Sequence, residues 1–374
     1  MTPERPTVAL IGPVLPFRGG IAQHTTMLHR ALSQVADVRT FSFTRQYPKL
    51  LFPGESDRDP AFAGHVEPGV RYVIDSLNPL TWRAVVREIV STGPAVVVIP
   101  WWTAFWAPCF SFIARRLRRA GIAVVFFCHN VVEHEEAAWK RAVTRRVLAS
   151  GSAFAVHTRV DERNLREMFP HARVAVHPHP VYENFPCPTG ALQREHDVEL
   201  LFFGFVRPYK GLDVLVEALA LVRNDLDWRL TVAGEFWQGS ADVRARVASL
   251  GLDDRVEIVE GYLSDAEVAE YFGRAHALAL PYRSATGSGV VAVAYNYGKP
   301  VIVTRVGGLP DVVVEGETGW IVEPDDPEAL ARAIEGLAQA DIDAMARAVD
   351  RYVARNMTWS GLAHSVLDVA GTEV

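Results

Sequence analysis

The sequence predicts an α/β fold made of two doubly wound, Rossmann-like domains. Short apolar runs rich in valine, isoleucine and phenylalanine recur along the 374 residues, and the stretches between them are long enough for a helix. Such alternation is typical of parallel sheets that are covered by helices on both faces. This alternation of strands and helices occurs in two series. Residues 183–197, with two prolines, one glycine and mixed charge, separate the two series as a linker.

The predicted strands define the domains. They lie at residues 7–12, 38–43, 70–75, 95–100, 122–130, 153–158 and 174–179 in the first series, and at 199–205, 228–235, 256–262, 275–282, 300–308 and 319–324 in the second. We expect a first domain over 1–185 and a second over 196–355. Two such domains would face each other across a cleft at the carboxyl ends of their strands, where ligands of this fold class bind.

The last segment, residues 356–374, predicts a closing helix. Trp359, Leu362, Val366 and Val369 recur at helical spacing and form one apolar stripe. We expect this helix to pack back on the first domain.

The composition argues against several classes of protein. A formal net charge of −6 argues against broad binding of nucleic acid, which normally needs a basic excess. The cysteines, Cys109, Cys128 and Cys187, are odd in number and widely separated, so neither a disulfide framework nor a zinc cluster is expected. No metal site is predicted. A reducing cytoplasm fits this cysteine usage, and the first residues do not resemble a secretion signal.

Residues 95–114 carry no charge over a length that could span a bilayer. Pro100 and Pro108 interrupt the stretch, and its first part is rich in valine, so a strand, a loop and the start of a helix are predicted instead. The helix runs into the arginine-rich residues 115–119. Two interpretations of this aromatic and basic segment stay open: a peripheral contact with the inner face of a membrane, or a core edge with a solvated helix face.

Two segments of the second domain predict an anion site. Residues 200–211, LLFFGFVRPYKG, read as a buried strand that ends in a glycine and then presents Arg207 and Lys210. Two cations just beyond the carboxyl end of a strand suit a phosphate or diphosphate. The second segment is PYRSATGSGVVAVAYNYGKP at 281–300, where Ser288 is placed to cap a helix that begins near Gly289. The amides of Ser288, Gly289 and Val290 would then point toward the same anion.

The first domain has two weaker signals. Gly19 and Gly20 precede a predicted helix, and such glycines let a backbone approach a ligand closely. The spacing is not that of the G-x-G-x-x-G dinucleotide motif, which argues against a nicotinamide cofactor. His129 follows a strand and could donate to a substrate hydroxyl or to a developing charge.

Taken together, these motifs resemble the family 4 glycosyltransferases, which are retaining enzymes with two Rossmann-like domains in the GT-B arrangement. The likeness rests on GGIAQHT at 19–25, HN at 129–130, GFVRPYKGLDVLVEALA at 204–220 and GKPVIVTRVGGLPDVV at 298–313. It covers nearly the whole chain and is stronger in the second half.

The resemblance implies a role for each matching residue. Arg207 and Lys210 would hold the diphosphate of a nucleoside diphosphate sugar, assisted by the amides at 288–290. The backbone at Gly261 and Tyr262 would lie against the nucleobase, Gly20 would lie beside the diphosphate and sugar, and His129 would contact the transferred sugar. Acceptors would bind the first domain, and Gly19, Gln23 and His24 are the residues expected to contact them. The donor is a substrate, and no cofactor is implied.

The sequence departs from the family pattern at one point. The family places two glutamates eight positions apart around this turn and helix, and alignment on GKPVI puts Ala285 and Val293 at those positions. Asn296, about one helical turn beyond Val293, is either a replacement for part of the ribose contact or an ordinary helix residue.

The function implied by the resemblance is transfer of a sugar to an acceptor hydroxyl with retention of configuration, in polysaccharide or natural-product biosynthesis. Two alternatives stay open. The loss of both glutamates fits a non-catalytic partner protein that only binds sugar nucleotides, and the same fold could epimerise a nucleotide sugar. Neither the donor nor the acceptor is identified by the sequence.

Overall fold

The computed structural model of the chain describes residues 5–48, 57–59, 62, 64–131, 138–182, 185–188, 194–237 and 239–372. The chain divides into two compact units, Met1–His177 with Trp359–Val374 and Pro178–Thr358. The division differs from the predicted domain ends, because residues 178–185 lie in the second unit. Residues 183, 184 and 189–193 of the predicted linker are outside the described part of the chain.

The first unit is built on a parallel sheet of seven strands in the order β3-β2-β1-β4-β5-β6-β7. The strands are β1 (Thr7–Ile11), β2 (Asp37–Arg45), β3 (Val70–Asp75), β4 (Val96–Trp101), β5 (Ala123–Cys128), β6 (Ala153–Val156) and β7 (Val174–Val176). The helices between them are α1 (Gly20–Val35), α2 (Pro79–Thr92), α3 (Ala107–Arg119), α4 (Ala138–Leu148) and α5 (Arg159–Met168).

The second unit repeats this plan with six parallel strands in the order β10-β9-β8-β11-β12-β13. The strands are β8 (Val198–Phe203), β9 (Trp228–Gly234), β10 (Val256–Glu260), β11 (Ala277–Leu280), β12 (Val301–Thr304) and β13 (Gly319–Val322). The helices are α6 (Leu212–Leu221), α7 (Ser240–Ser249), α8 (Asp265–Arg274), α9 (Gly289–Asn296), α10 (Pro327–Leu337) and α11 (Ile342–Asn356). In both units the strand order is that of a doubly wound fold, so the predicted fold class is confirmed.

The apolar runs form strands because both faces of each sheet are covered. In β8, Leu200 and Phe202 belong to one buried apolar cluster, whereas Leu201 belongs to a cluster on the other face. Successive side chains of a strand point to opposite faces, so a strand buried on both sides is apolar at most positions. Every apolar run predicted as a strand therefore overlaps a strand of the structure.

The closing helix, α12 (Trp359–Ala370), packs in the first unit against α1, β5, β6 and β7. Trp359, Leu362 and Val366 are buried on its apolar face. Val369, the fourth residue of the predicted stripe, is only partly buried. Helix α12 begins at Trp359, three residues after the end of α11 at Asn356 in the second unit.

The uncharged stretch 95–114 forms β4, one turn of 3-10 helix at Ala104–Trp106, and the first half of α3, as predicted. Trp101, Trp106 and Phe110 are each no more than 1% exposed. These aromatic side chains fill the core of the first unit, so the interpretation as a core edge holds for them. Among the described residues, no helix is both long and apolar enough to cross a membrane.

Candidate functional site

The predicted anion site lies in the second unit, at the carboxyl ends of β8 and β11. These two strands are neighbours, and the strand order reverses between them, because the chain continues from β8 to β9 on one side and later returns to β11 on the other. Doubly wound folds bind ligands at this switch point. Both segments that the sequence singled out, residues 204–211 after β8 and 281–289 after β11, therefore lie at the expected place.

Lys210 is the central cation of this site. It ends a turn of 3-10 helix, Pro208–Lys210, and is 7% exposed. Its ammonium group lies 5.4 Å from the centre of the Tyr282 ring, and the described residues give it neither a hydrogen bond nor a carboxylate partner. Burial, and secondarily the positive charge of Arg207, lowers the pKa of Lys210 to about 8. A lysine buried without a counter-ion is costly, and such a perturbed cation at a strand end is a candidate for a functional site.

Gly204 brings the two predicted segments together. It follows β8 with a φ of +100°, and a Cβ on this residue would lie 3.6 Å from Lys210 Nζ and 3.7 Å from Val290 Cγ2. The lysine ammonium and the first turn of α9 thus border the same point. This places Lys210 near the start of α9, and the predicted meeting of both cations with the helix amides stays a prediction.

The N-terminus of α9 is capped by Ser288, as predicted. Ser288 has an extended backbone, and its hydroxyl oxygen accepts a hydrogen bond of 3.3 Å from the amide of Val290. Of the three amides expected to bind an anion, the Val290 amide is therefore engaged by the cap. The first turn of α9 carries no acidic side chain, so the positive end of the helix dipole is available to a negative ligand.

Arg207 is held by aromatic side chains. Its guanidinium lies 3.7 Å from the centre of the Trp237 ring, and Trp237 also contacts Phe205 edge to face at 5.6 Å. Both aromatic residues are about half exposed. In the described part of the chain no carboxylate pairs with Arg207, so its charge, like that of Lys210, is available to a ligand. The stack on Trp237 fixes the direction of the Arg207 side chain. It costs little free energy, because a guanidinium is only weakly hydrated.

Arg283 ties the two sides of the site together. It follows β11, and its guanidinium donates to both carboxylate oxygens of Asp213 at 2.8 and 2.7 Å and to Asp325 at 2.6 Å. It also donates to the carbonyl of Pro208 at 2.9 Å, while its own amide donates to the carbonyl of Tyr209 at 2.7 Å. The turn that presents Lys210 is therefore bonded directly to the loop that leads into α9.

Gly261 and Tyr262, predicted to lie against a nucleobase, follow the edge strand β10. Gly261 donates its amide to the carbonyl of Gly234 at 3.1 Å, and the Tyr262 side chain is 74% exposed. They lie at the carboxyl edge of the sheet that also presents Lys210. An exposed aromatic ring at this edge can stack on a base.

The first unit places His129 directly after β5, as predicted, where its amide donates to the carbonyl of Trp101 at 2.8 Å. Gly20 begins α1, and Gly19 precedes it with a φ of +107°. A Cβ on either glycine would meet nothing within 4 Å, so open space adjoins this turn. Gln23 is partly buried, on the first turn of α1.

His24, expected to contact an acceptor, is only 2% exposed. Its ring packs against those of Phe127, His129, His157 and Trp359 at centroid distances of 4.5 to 5.1 Å. A side chain enclosed in this way has little surface left for a substrate, so burial argues against the predicted contact.

The comparisons with known proteins agree with this geometry. The model of Glycosyltransferase Family 4 matches residues 18–184, and the model of Glycosyl transferases group 1 matches residues 197–340. The two models match the two halves in the order that the GT-B arrangement requires. The chain belongs to the group 1, family 4 glycosyltransferases.

A relative and two solved structures show how far the likeness extends. The D-inositol 3-phosphate glycosyltransferase of Pseudarthrobacter chlorophenolicus is 36% identical over 155 residues, which cover 39% of this chain and 36% of that protein. The match thus spans little more than a third of the relative's length. Sucrose-phosphate synthase from Thermosynechococcus elongatus superposes with a TM-score of 0.68 at 21% identity, covering 98% of both chains. An Anabaena protein solved in complex with UDP superposes with a TM-score of 0.71 at 15% identity, covering 98% of this chain and 99% of the other. At these identities the two structures show the fold alone.

This family member lacks both glutamates of the family pattern, and the structure shows what stands in their place. Val293 is 8% exposed and belongs to an apolar cluster of the second unit, against which Ala285 also packs. Asn296 is the last residue of α9 and lines a different cavity together with Lys299. A helix of eight residues separates that cavity from the cap at Ser288 by about 12 Å. The structure therefore gives no support to the suggested ribose contact of Asn296, which stays a prediction.

Three features of the site were not anticipated from the sequence. They are the Arg283–Asp213 pair, the Trp237 ring beneath Arg207, and the approach of His24 and His157 to His129. The sequence contains a signal for the first, since an arginine directly after a strand in the turn PYRSATG is placed like Arg207. The other two depend on contacts between residues from separate loops and carry no local signal.

Proposed function

We propose that this chain transfers a sugar from a nucleoside diphosphate sugar to an acceptor hydroxyl and retains the anomeric configuration. The single observation that carries the proposal is Lys210, a buried ammonium group without a carboxylate partner among the described residues, beside the N-terminus of α9. A diphosphate supplies the negative charge that this arrangement requires. Family membership provides the reaction class, and retention rests on the family resemblance.

The difficult step is departure of the nucleoside diphosphate. Negative charge develops on the leaving phosphate oxygen, where Lys210, Arg207 and the amides of Ser288 and Gly289 stabilise it. Because Trp237 and the Arg283 network hold these groups in place before the reaction, little reorganisation is needed as charge develops. The positive charge is thus supplied by fixed side chains.

The configuration is retained because the acceptor hydroxyl attacks the anomeric carbon from the face on which the diphosphate departs. In this mechanism the leaving phosphate oxygen accepts the proton of the acceptor hydroxyl as the new glycosidic bond forms and the bond to phosphate breaks. A double displacement needs a carboxylate nucleophile paired with a second carboxyl group. No such pair is evident in the sequence, which favours the single-step route. In this proposal His129 and Gly20 contact the donor sugar.

The proposal also covers the donor and a contact with a membrane. The Anabaena neighbour was solved with UDP, so UDP-sugars are the first donors to test and UDP is the first ligand.

Four arginines of the first unit line a cavity of about 490 Å³: Arg115, Arg118, Arg119 and Arg146. We infer that these arginines give the protein a peripheral contact with an anionic membrane surface on the cytoplasmic side. Flotation with anionic liposomes tests this contact, and neutralising the four arginines should abolish it.

The test of the proposed reaction is release of nucleoside diphosphate from a panel of nucleotide sugars supplied with a crude acceptor mixture. Lys210→Ala and Arg207→Ala should each lower the rate about 100-fold or more, the scale for removal of one preorganised contact to a developing charge. Lys299→Ala, which removes another buried lysine of the same unit, is the matched control and should have a small effect. Unchanged rates in both site variants would overturn the proposal.

The same assay separates the two alternatives. A pure binding protein would bind the donor but release no nucleoside diphosphate with any acceptor. An epimerase would convert the donor in the absence of an acceptor, which analysis of the nucleotide sugar before and after incubation would detect.

A further inference from the structure

We propose that His24, His129 and His157 of the first unit bind a divalent transition metal ion of the class that prefers imidazole ligands, with Zn²⁺ as the first candidate. One ring nitrogen from each histidine lies within 4.8 Å of the others. Three convergent imidazoles are a known zinc ligand set that leaves a fourth coordination position open. The inference shares His129 with the proposed reaction, but its test measures metal binding and not sugar transfer.

The three histidines come from three elements of one sheet-based unit. His24 lies on α1, His129 directly follows β5, and His157 directly follows β6. Because β5 and β6 are neighbouring parallel strands, the residues that follow them emerge at the same edge of the sheet. The ligand nitrogens are thus brought together by rigid elements rather than by one flexible loop, which is what a metal site requires.

The hydrogen bonds of His157 define where its proton lies. Its Nδ1 is 2.9 Å from the backbone carbonyl oxygen of His177, and a carbonyl only accepts, so Nδ1 carries the proton. The neutral ring then presents a lone pair at Nε2. A ligating histidine commonly donates its other ring nitrogen to a backbone carbonyl in this way.

The spacing of the facing nitrogens fits a shared ion. His157 Nε2 and His24 Nε2 are 3.1 Å apart. Two nitrogens bound to one zinc at about 2.0–2.1 Å in tetrahedral geometry are separated by about 3.3 Å. The third nitrogen, from His129, lies within the same 4.8 Å limit, and the His129 ring meets the His24 ring edge to face at 4.5 Å.

Aromatic side chains fix the orientation of the rings. The Phe127 ring lies 4.7 Å from His24, 5.0 Å from His129 and 4.9 Å from His157. Trp359 of α12 packs on His24 at 5.1 Å. These ring contacts hold the three imidazoles in fixed orientations around the point on which their nitrogens converge.

A simpler explanation accounts for part of the geometry. His24 could donate from Nε2 to the Nε2 of His157, which makes a hydrogen bond of 3.1 Å without any ion. This pair gives no reason for a nitrogen of His129 to converge on the same point. The two explanations differ in what the protein does when a metal ion is offered.

The test titrates the chelator-stripped, full-length protein with Co²⁺ and follows the visible bands of tetrahedral cobalt, then displaces the cobalt with Zn²⁺. We expect one ion per chain and loss of the bands on zinc addition. His157→Gln and His129→Gln should each weaken binding at least tenfold. His171→Ala, which changes an exposed histidine outside the cluster, is the control and should bind like the parent protein.

Folding of the variants is checked by circular dichroism and by melting temperature. Saturating Zn²⁺ should raise the melting temperature of the parent protein and of the His171 variant more than that of the cluster variants, because only a folded site binds the ion. If the parent protein shows no saturable cobalt band, or if the cluster variants bind cobalt as tightly as the parent, the proposal is overturned.

Discussion

Arg283 and Asp213 are joined by two parallel hydrogen bonds of 2.8 and 2.7 Å, and this pair connects the strand that leads to α9 with the helix that follows Lys210. Partial burial by itself would raise the pKa of Asp213, but the hydrogen bonds and charge of Arg283 outweigh burial and lower it. The pair thus persists as ions at neutral pH. It fixes the spacing between the two halves of the proposed diphosphate site.

Asp213→Asn and Arg283→Lys should each weaken UDP binding about tenfold, because a bidentate ion pair is lost and the turn at Lys210 loses its connection to the α9 loop. Isothermal titration calorimetry measures the affinity. Glu217→Gln is the control, since Glu217 lies on α6 like Asp213 and the change weakens a surface pair of 2.9 Å with Arg246 of α7. Equal affinity in all three variants would show that the Arg283 pair has no positioning role.

Gly204→Ala should abolish most UDP binding. An alanine at a φ of +100° is strained, at a cost of about 1–2 kcal/mol, and its methyl group would stand beside Lys210 Nζ in the space assigned to the ligand. Gly251→Ala is the control, because Gly251 also has a positive φ, +67°, and alanine is strained there too. Its added Cβ meets nothing within 4 Å. Melting temperatures should fall in both variants, whereas UDP affinity should fall only in Gly204→Ala.

UDP affinity should decline as the pH rises above about 8, the pKa to which burial brings Lys210. In the free protein Lys210 loses its proton above this pH, while bound diphosphate favours the charged form. From pH 8 to 9 the affinity should fall several-fold, approaching tenfold per pH unit beyond. Lys210→Arg should flatten this profile, since arginine stays protonated. Lys299→Arg, at another buried lysine with a pKa of about 8, should not alter it.

The same lysine makes stability change with pH in the opposite direction. The folded-state pKa of about 8 lies below the usual 10.5, so the unfolded chain binds more protons across this interval. The contribution of Lys210 to the free energy of unfolding therefore rises between about pH 8 and 10.5. Urea unfolding of the parent protein and of Lys210→Met at several pH values measures it. A parent-minus-variant difference that fell with rising pH would contradict the assigned shift.

Tyr262→Ala should weaken binding of UDP about tenfold and leave binding of inorganic diphosphate unchanged, because stacking on a base is worth on the order of 1–3 kcal/mol. The side chain is 74% exposed, so the melting temperature should stay the same. Trp139→Ala, at an exposed aromatic residue of the first unit, serves as control. A parallel loss of diphosphate binding would mean that Tyr262 acts through the fold rather than through the base.

Much of this architecture was predictable because it depends on local patterns. The apolar runs became strands, since each is short, β-branched and bounded by turn residues. Ser288 was recognised as a cap from its position before an apolar run. The division between the units was harder to predict. Residues 178–182 continue from the first series without a break in composition, yet Val181 bonds through its amide to Met357 of the second unit.

The roles of single side chains in the site were less predictable. Asn296 was suggested as a ribose contact because it follows Val293 by about one turn, but it ends the helix and lines another cavity. His24 was expected to contact an acceptor, whereas Trp359 of α12, from the far end of the chain, packs on its ring. Spacing along a helix specifies a face, and only the neighbouring elements decide what that face meets.

The sequence by itself determined the two Rossmann-like units, their strands, and the placement of Arg207 and Lys210 beyond a strand end, since periodicity and turn chemistry act over a few residues. The tertiary structure alone decided that Lys210 is buried, that Arg283 reaches Asp213 and that three histidines converge. These outcomes join residues far apart in the chain, such as His24 and His157. Their distance and burial depend on strand order and helix packing, which no local pattern encodes.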